Sequence, residues 1–461
     1  MSDKRQKNQL RLAFSEESRG EARQAPGEGS ETFTAKRMNE SPANREQLME
    51  EVCERENCLQ AYKRVKSNKG GPGIDGMTVE QLPGYLKEHW PAIRKQLLSG
   101  IYKPQPVRRV EIPKPDGGVR HLGIPTVLDR MVQQAIMQVL QGRWDAAFSE
   151  HSHGFRPGRS AHQAVAEAQK HIAEGRRWVV DLDLEKFFDR VNHDKLMAVV
   201  AHRVADKRML RLIRAFLTAG VMENGLVGPV DEGMPQGGPL SPLLSNLVLD
   251  ELDRELERRG HHFVRYADDC NIYVRSQRAG QRLMRGLIRL LEGKLKLKVN
   301  REKSAVARPW ERKFLGFSFT NGTMPKRRIA PKAVLRFQAR IRVLTRRTRG
   351  ISLEKMVRDV TRYLQGWQGY FGFCQTPTVL DRFNKWIRRR LRSAACKQWR
   401  TGKTRYARLR KLDLSHDLAA RTAGHQWGPW RLSRTQALSY AMPATYFDSL
   451  GLPLLHCTAG A

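Results

Sequence analysis

Two adjacent aspartates, Asp268 and Asp269, lie between two short apolar runs in the stretch HHFVRYADDCNIYVRS (residues 261–276). Short runs rich in β-branched and aromatic residues on both sides of a polar break predict two paired strands joined by a tight turn. Aspartate is common at such turns because its short side chain bonds the local backbone. Adjacent carboxylates can also bind metal ions, and from this stretch alone the turn is the stronger explanation.

A second acidic segment strengthens the metal-binding explanation for the paired aspartates. In RRWVVDLDLEKFFDRVNHDKL (residues 176–196) every other residue from Trp178 to Leu184 is apolar, which predicts a strand whose other face carries Asp181 and Asp183. Carboxylates at the end of an apolar strand are costly to bury unless they are paired or bind metal. The segment precedes the paired aspartates by about eighty-five residues, a separation compatible with neighbouring strands of one sheet. Three converging carboxylates suit two Mg²⁺ ions about 3.5–4 Å apart in phosphoryl transfer.

The charge balance points to a polyanionic partner. The chain has 83 Lys and Arg against 47 Asp and Glu, a formal net charge of +36 and a pI near 10.5. Binding to phosphates releases counterions, which makes nucleic acid the natural partner. An anionic membrane is the alternative, but no run is long and apolar enough to span a bilayer.

The first residues and the cysteines indicate a cytosolic protein. The start MSDKRQKNQL has no secretory signal. The six cysteines are scattered and include no CxxC pair, so we expect reduced thiols, with neither a disulfide framework nor a zinc site.

Changes of composition divide the chain. Residues 1–45 lack any helical or strand period and predict a disordered arm. A helical pattern begins around residue 45 and ends at the glycine-rich loop SNKGGPGIDG, and Val107 to Phe319 mixes short strands with helices, which predicts an α+β catalytic body. Apolar residues at helical spacing then predict one helix from about Val334 to Leu344, and another that begins after Ser352 as its cap.

A cationic segment follows these helices. Between residues 382 and 411 there are thirteen Lys or Arg and no Asp or Glu, with Trp386, Trp399 and Tyr406 interspersed. One basic run is usually a solvated face, but thirteen cations without counter-charge repel one another. We therefore expect this segment to bind nucleic acid.

Several motifs, in this order, resemble those of reverse transcriptases. YADD (266–269) is similar to their active-site hairpin, and DLEKFFDRVNH (183–193) to the strand that carries their first catalytic aspartate. GMPQGGPLSPLLSNLVLDELD (233–253) resembles the segment that supports the templating pair and the incoming nucleotide.

Other segments resemble group II intron-encoded proteins in particular. They are IPKPDGGVRHLGIPTVLDRMVQQA and SEHSHGFRPGRSAHQA of the fingers and palm, LKLKVNREKS and the primer-gripping RKFLGFSF before the thumb, and YLQGWQGYFGF of the maturase, or X, region. The resemblance covers about residues 46 to 450.

The resemblance implies an α+β, right-hand polymerase fold. Fingers and palm, with an antiparallel sheet, would occupy residues 46–328, an α-helical thumb or maturase region 329–378, and a basic nucleic-acid-binding region 379–461. Members of the family often end with an endonuclease that carries cysteine pairs and histidines. The last residues here, from His425 onward, have no such cluster, so we expect no endonuclease.

The resemblance also implies a role for individual residues. Asp183, Asp268 and Asp269 would be the catalytic carboxylates and ligands of two Mg²⁺ ions, with Asp269 contributing less directly. Phe188 would exclude the 2′-hydroxyl of a ribonucleotide, unless it is a core residue.

Four polar residues would contact the incoming dNTP. Lys114 and Arg120 flank the PDGG turn of a predicted hairpin and would reach the triphosphate, although a solvated hairpin would look the same. Gln236 would contact the nucleotide or cap a turn, and Lys303 would protonate pyrophosphate or simply face solvent. Three further polar residues are assigned no part in the chemistry: Asp181, Asp189 and His193, the last two being expected at a helix start.

The implied activities are RNA-directed DNA synthesis and maturase-assisted splicing, which together support retrohoming. The partners would be intron RNA, an RNA template with a DNA primer, target DNA and dNTPs, with no membrane, in the bacterial cytoplasm at the nucleoid. The residues expected to bind nucleic acid are Arg382, Lys385, Arg388, Arg389, Arg392, Lys397, Arg400, Lys403 and Arg405. Two alternatives remain open: a retron, diversity-generating or defence-type reverse transcriptase, and a splicing cofactor without polymerase activity.

Overall fold

The computed structural model describes residues 47–113, 118–223 and 225–458. They form two compact units: a first unit of residues 47–160, 181–272 and 281–305, and a second unit of residues 161–180, 273–280 and 306–458. The predicted arm, residues 1–45, lies outside the described residues.

Helices and strands are numbered in chain order. The helices of the described ranges are α1 (Leu48–Val52), α2 (Arg55–Asn68), α3 (Leu82–Ser99), α4 (Val127–Trp144), α5 (Ala161–Ala173), α6 (His193–Ala201), α7 (Lys207–Thr218), α8 (Ser241–Arg258), α9 (Gln277–Arg289), α10 (Pro331–Leu344), α11 (Leu353–Phe371), α12 (Pro377–Gln398), α13 (Gly402–Lys411), α14 (His416–Gly424), α15 (Pro429–Leu432), α16 (Gln436–Ala441) and α17 (Ala444–Ser449). The strands are β1 (Val107–Pro113), β2 (Val119–Ile124), β3 (Trp178–Leu182), β4 (Val221–Glu223), β5 (Leu226–Gly228), β6 (His262–Tyr266), β7 (Asp269–Val274), β8 (Ala305–Ala307), β9 (Phe317–Phe319) and β10 (Arg327–Ile329).

Three sheets organise the strands. One has the order β2-β1-β4-β5, in which β1 pairs antiparallel with β2, parallel with β4, and β4 antiparallel with β5. A second has the order β6-β7-β3-β8, and β9 and β10 form a short antiparallel pair. The predicted strand around Trp178 and the predicted hairpin around the paired aspartates are both present, as is the β1–β2 hairpin. The α+β class is therefore confirmed.

The helical region after residue 330 is also confirmed. Ser352 caps α11 as expected, because its hydroxyl accepts a hydrogen bond from the Lys355 amide at 3.2 Å. The Phe337 ring on α10 lies 4.3 Å from Trp367 of α11 and 4.4 Å from Phe383 of α12, measured between ring centroids. This aromatic cluster joins the three helices within the second unit.

Two details of the sequence interpretation differ from the structure. The helical pattern that begins near residue 45 consists of two helices, because the chain breaks between α1 and α2 at Cys53 and Glu54. Asp189 ends a short 3₁₀ turn (Phe187–Asp189) instead of starting a helix; α6 begins at His193 with Asn192 as its cap. The divisions at 328/329 and 378/379 remain predictions, and they fall within β10 and the first turn of α12.

A buried ion pair connects α8 to β6. Arg265 is 0 % exposed, and its Nε and Nη2 donate to the Asp253 carboxylate at 2.8 and 2.5 Å. Its Nη1 donates to Asn246 Oδ1 at 3.0 Å and to the carbonyl oxygen of Ala267 at 2.9 Å. Each buried donor thus has a partner, and the guanidinium reaches the turn that follows β6.

We expect Asp253→Ala to lower the free energy of unfolding by about 3–5 kcal/mol, because it leaves the Arg265 charge buried without a counterion. Urea unfolding of the full chain measures the loss. The matched control is Asp194→Ala, which removes an exposed ion pair with Arg214 (2.7 Å) and costs at most about 1 kcal/mol. Equal losses in the two variants would contradict the importance of the buried pair.

Candidate active site

The turn Tyr266–Asp269 brings the paired aspartates to the end of the β6–β7 hairpin. Ala267 has a left-handed backbone (φ 56°), and its carbonyl oxygen accepts the hydrogen bond from Arg265. Asp268 is half-buried and Asp269 is exposed. The aspartates therefore do sit at a turn, and that turn is held from below by a buried guanidinium.

The strand that ends before Asp183 lies directly beside the strand that begins at Asp269. The sheet order places β3 next to β7, and Asn271, with its amide nitrogen turned toward Asp181, donates to Asp181 Oδ1 at 3.0 Å. Because side chains alternate between the faces of a strand, Asp183 and Asp269 belong to the same face as this pair. The sheet thus brings together the two acidic segments that the sequence suggested.

The backbone around Asp183 is fixed by the segment that follows residue 295. The Asp183 amide donates to Ser304 Oγ at 3.0 Å, and the Asn300 amide donates to the Asp183 carbonyl oxygen at 2.9 Å. Lys303 Nζ lies 4.0 Å from Asp183 Oδ2, with its side chain 69 % exposed. The predicted lysine is therefore beside the Asp183 carboxylate and still open to solvent.

The donor set suits a hard divalent cation. Asp181, Asp183, Asp268 and Asp269 offer only oxygen ligands, and the Asp183 side chain is 34 % exposed. Mg²⁺ prefers carboxylate oxygens and keeps several water ligands, which requires such partial exposure. The residues present therefore fit Mg²⁺.

An open cavity of about 820 Å³ in the first unit contains the predicted nucleotide contacts Phe188 and Gln236. Phe188 is half-buried, whereas its neighbour Phe187 is in the core. Gln236 Nε2 donates to Asp189 Oδ1 at 3.3 Å. Of the two phenylalanines, Phe188 is thus the one that faces open space.

Backbone hydrogen bonds hold the walls of this cavity. The Met234 amide donates to the Phe188 carbonyl oxygen at 2.6 Å, and the Gly123 amide donates to the Gln236 carbonyl oxygen at 2.8 Å. Gly233 has φ 93°, and a Cβ there would lie 2.9 Å from the Asp189 carbonyl oxygen. The GMPQ segment is therefore packed between β2 and the 3₁₀ turn, and this close approach requires glycine.

Of the two predicted triphosphate contacts, the structure describes one. Lys114 is outside the described residues. Arg120 is exposed on β2 opposite Ile112, and the residues of β2 that line the cavity are the three that follow it, His121, Leu122 and Gly123.

The nine cations expected to bind nucleic acid differ in their surroundings. Arg392 donates to the Met442 carbonyl oxygen at 2.9 and 2.8 Å, and Arg405 to the carbonyl oxygens of Ala423 and His425 at 3.1 and 2.9 Å. These two guanidiniums thus join parts of the second unit. The exposed members of the set are Arg382, Lys385, Lys397, Arg400 and Lys403.

The sequence interpretation missed three supporting residues: Ser304, Asn271 and Arg265. Ser304 and Asp183 are far apart in the chain, so no local pattern indicates their contact. Asn271 lies two residues after Asp269 on the same strand, so the two side chains are on the same face. This spacing is the one feature of the sequence that could have identified a supporting residue.

Comparison with known proteins agrees with this geometry. A family described as reverse transcriptase (RNA-dependent DNA polymerase) matches residues 112–319, and a second, described as group II intron, maturase-specific domain, matches residues 334–412. Protein YkfC of Escherichia coli (strain K12) is 34% identical over 301 residues, which are 57% of this chain and 79% of that protein.

Further similarity extends to intron-encoded proteins. Group II intron-encoded protein LtrA of Lactococcus lactis subsp. cremoris is 39% identical over 195 residues, 42% of this chain and 32% of that protein, so this chain matches about a third of its length. Among solved structures, a chain of a partial Cas6-RT-Cas1–Cas2 complex is 25% identical with a TM-score of 0.35, covering 54% of this chain and 43% of that one.

None of the helices in the described ranges is long and apolar enough to cross a membrane.

We expect Ser304→Ala to lower the rate of nucleotide incorporation by about 3- to 10-fold, because the Asp183 amide loses a hydrogen bond of about 0.5–1.5 kcal/mol and the carboxylate loses its alignment. Single-turnover extension of a primer measures the rate. Ser67→Ala is the control, since Ser67 bonds only the Arg64 carbonyl oxygen of its own helix. An unchanged rate in Ser304→Ala would show that the serine does not align Asp183.

Proposed function

Since this chain belongs to the family of group II intron-encoded reverse transcriptases with a maturase region, we propose that it copies RNA into DNA by two-metal-ion nucleotidyl transfer and also binds its intron RNA to promote splicing and retrohoming. The observation that carries the polymerase proposal is the meeting of the β3 end with the YADD turn on neighbouring strands.

The three aspartates would hold the metal ions. Asp183 and Asp268 would be the main ligands, and Asp269, which is more exposed, would contribute less directly. When bound, two Mg²⁺ ions neutralise phosphate charge and favour attack by the primer 3′-oxygen. The protein's part would be to position the carboxylates, and the hydrogen bonds of Arg265, of Ser304 and within the sheet support this proposal.

The remaining residues of the site would select and orient the nucleotide. Phe188 would close the sugar site against a 2′-hydroxyl, and Gln236, which lines the same cavity, would support the nucleotide. Lys303 Nζ, beside Asp183, would donate a proton to the departing pyrophosphate. Lys114 and Arg120 of the β1–β2 hairpin would bind the triphosphate.

The second unit would supply the RNA-binding surface for the maturase activity. Cations tracking the phosphates, together with aromatic rings that stack on unpaired bases, suit structured RNA. The exposed cations on α12 and α13 and between these helices are the first candidates, and the same surface would serve target DNA. A chain with charge +36 that binds these partners would work at the bacterial nucleoid.

The first test is primer extension by the purified full chain on an RNA template with Mg²⁺ and dNTPs. We expect Asp268→Asn combined with Asp269→Asn to reduce synthesis by at least about a hundredfold, since metal-based charge stabilisation contributes several kcal/mol. RNA affinity, measured in parallel, should stay unchanged. If well-folded wild-type protein makes no DNA but binds its RNA, the chain would be a splicing cofactor instead.

A second test concerns the sugar of the nucleotide. We expect Phe188→Ala to incorporate ribonucleotides at least about tenfold more efficiently relative to deoxyribonucleotides, because the half-buried ring no longer fills the space beside the 2′-position. The ratio of kcat/KM for the two nucleotides measures this preference. Phe187→Leu is the matched control, since that ring lies in the core. An unaltered ratio in Phe188→Ala would remove this residue from nucleotide selection.

A further inference from the structure

A loop that precedes α5 is attached to the edge of the catalytic sheet. The His153 amide donates to the Arg265 carbonyl oxygen at 2.8 Å, and the Arg265 amide donates to the His151 carbonyl oxygen at 2.9 Å. Ser152 thereby forms a parallel bridge with Arg265, next to the edge strand β6. The loop therefore moves with the strand that carries the YADD turn.

Gly154 presses this loop onto the catalytic turn itself. A Cβ at residue 154 would lie 2.2 Å from the Ala267 amide nitrogen and 2.9 Å from the Tyr266 carbonyl carbon, so there is no room for a side chain. The Gly154 carbonyl oxygen accepts a hydrogen bond from Asn246 Nδ2 at 2.8 Å, and the same Asn246 accepts from Arg265. One buried network thus fixes both the loop and the turn.

The loop is fixed on its other side by Arg156. This buried guanidinium donates from Nε to Asp145 Oδ1 at 3.0 Å and from Nη1 to the carbonyl oxygens of Ser152 and Ser149 at 3.0 and 2.5 Å. Residues 154 and 156 are therefore both immobilised, and the residue between them has no freedom to relax.

That residue is Phe155, and its state is unfavourable in two respects. It has φ 60°, a left-handed conformation that is uncommon for a bulky residue. The residue is also 46% exposed, although its side chain is large and apolar. Backbone strain of this kind persists only where the surrounding structure enforces it, and it concentrates at functional sites.

We propose that the Phe155 ring packs against the last base pair of the primer–template duplex and so holds the primer 3′ end at the catalytic turn. This inference rests on the proposed polymerase function. The ring is attached to the residue that contacts Ala267, next to the metal ligand Asp268, where the primer 3′-oxygen must arrive. It does not line the cavity that contains Phe188 and Gln236, so it is separate from the nucleotide site.

The test is Phe155→Gly in the full chain. Glycine adopts φ 60° without strain, so thermal stability should be equal or higher. Affinity for an RNA template annealed to a 3′-dideoxy DNA primer, measured by fluorescence anisotropy, should fall about tenfold, as expected for loss of one aromatic contact to a base. The KM for dNTP should stay unchanged.

Two further variants separate binding from packing. Phe155→Tyr keeps the ring and should bind the duplex as wild type does. Ile101→Ala removes another exposed apolar side chain of the first unit, and should not alter duplex affinity.

Three outcomes would overturn the proposal. The first is undiminished duplex affinity in Phe155→Gly. The second is a raised dNTP KM at constant duplex affinity, which would assign the ring to the nucleotide site. The third is a fall in thermal stability together with weaker binding, which would make the ring a packing residue. The affinity measurement needs no catalysis, so it remains decisive even if the wild-type protein makes no DNA.

Discussion

The buried guanidinium of Arg265 is the interaction on which the turn with the paired aspartates depends. Burial alone would lower its pKa, but the Asp253 carboxylate outweighs that effect by attraction and hydrogen bonding and raises the pKa of Arg265. The charge is thus retained in the interior, where it is costly unless every donor is satisfied. Its partners are a carboxylate of α8, the Asn246 side chain and the carbonyl oxygen of Ala267. One side chain therefore connects the supporting helix to the turn that presents the aspartates.

A concentration of carboxylates at one place would be unfavourable in most proteins. Asp181, Asp183 and the paired aspartates repel one another, and bringing them onto neighbouring strands costs free energy. Three features reduce that cost: partial exposure to water, the amide of Asn271, and the ammonium of Lys303. These features moderate the repulsion, and the partly exposed carboxylate oxygens stay accessible to cations. The large positive charge of the whole chain acts in the same direction and at the same time attracts the polyanionic substrate.

Residues whose roles depend on nearby sequence were predictable, and residues whose roles depend on distant contacts were not. Alternation identified β3, the two apolar runs identified the hairpin, and the Ser352 cap identified the start of α11. Ser304 could not be found, because its hydroxyl accepts a hydrogen bond from the amide of Asp183, which is far away in the chain. Composition also could not tell which cations of the second unit are exposed and which donate hydrogen bonds to the backbone. Arg392 and Arg405 read as free charges in the sequence, yet their donors are used by backbone carbonyl oxygens.

Three of the seven non-glycine residues with positive φ in the described ranges lie in segments around the candidate site. Phe155, Lys186 and Ala267 all have positive φ without being glycine. Each such conformation costs of order 1–3 kcal/mol and would relax if its neighbours allowed it. Gly154 and Arg156 prevent relaxation at the first, and the Arg265 hydrogen bond prevents it at the turn. The favourable free energy of the buried network thus offsets the cost of holding a strained turn in one position. Under the proposed function a primer end and a carboxylate would have to meet within a fraction of an ångström, so a turn free to relax would be more stable and a poorer catalyst.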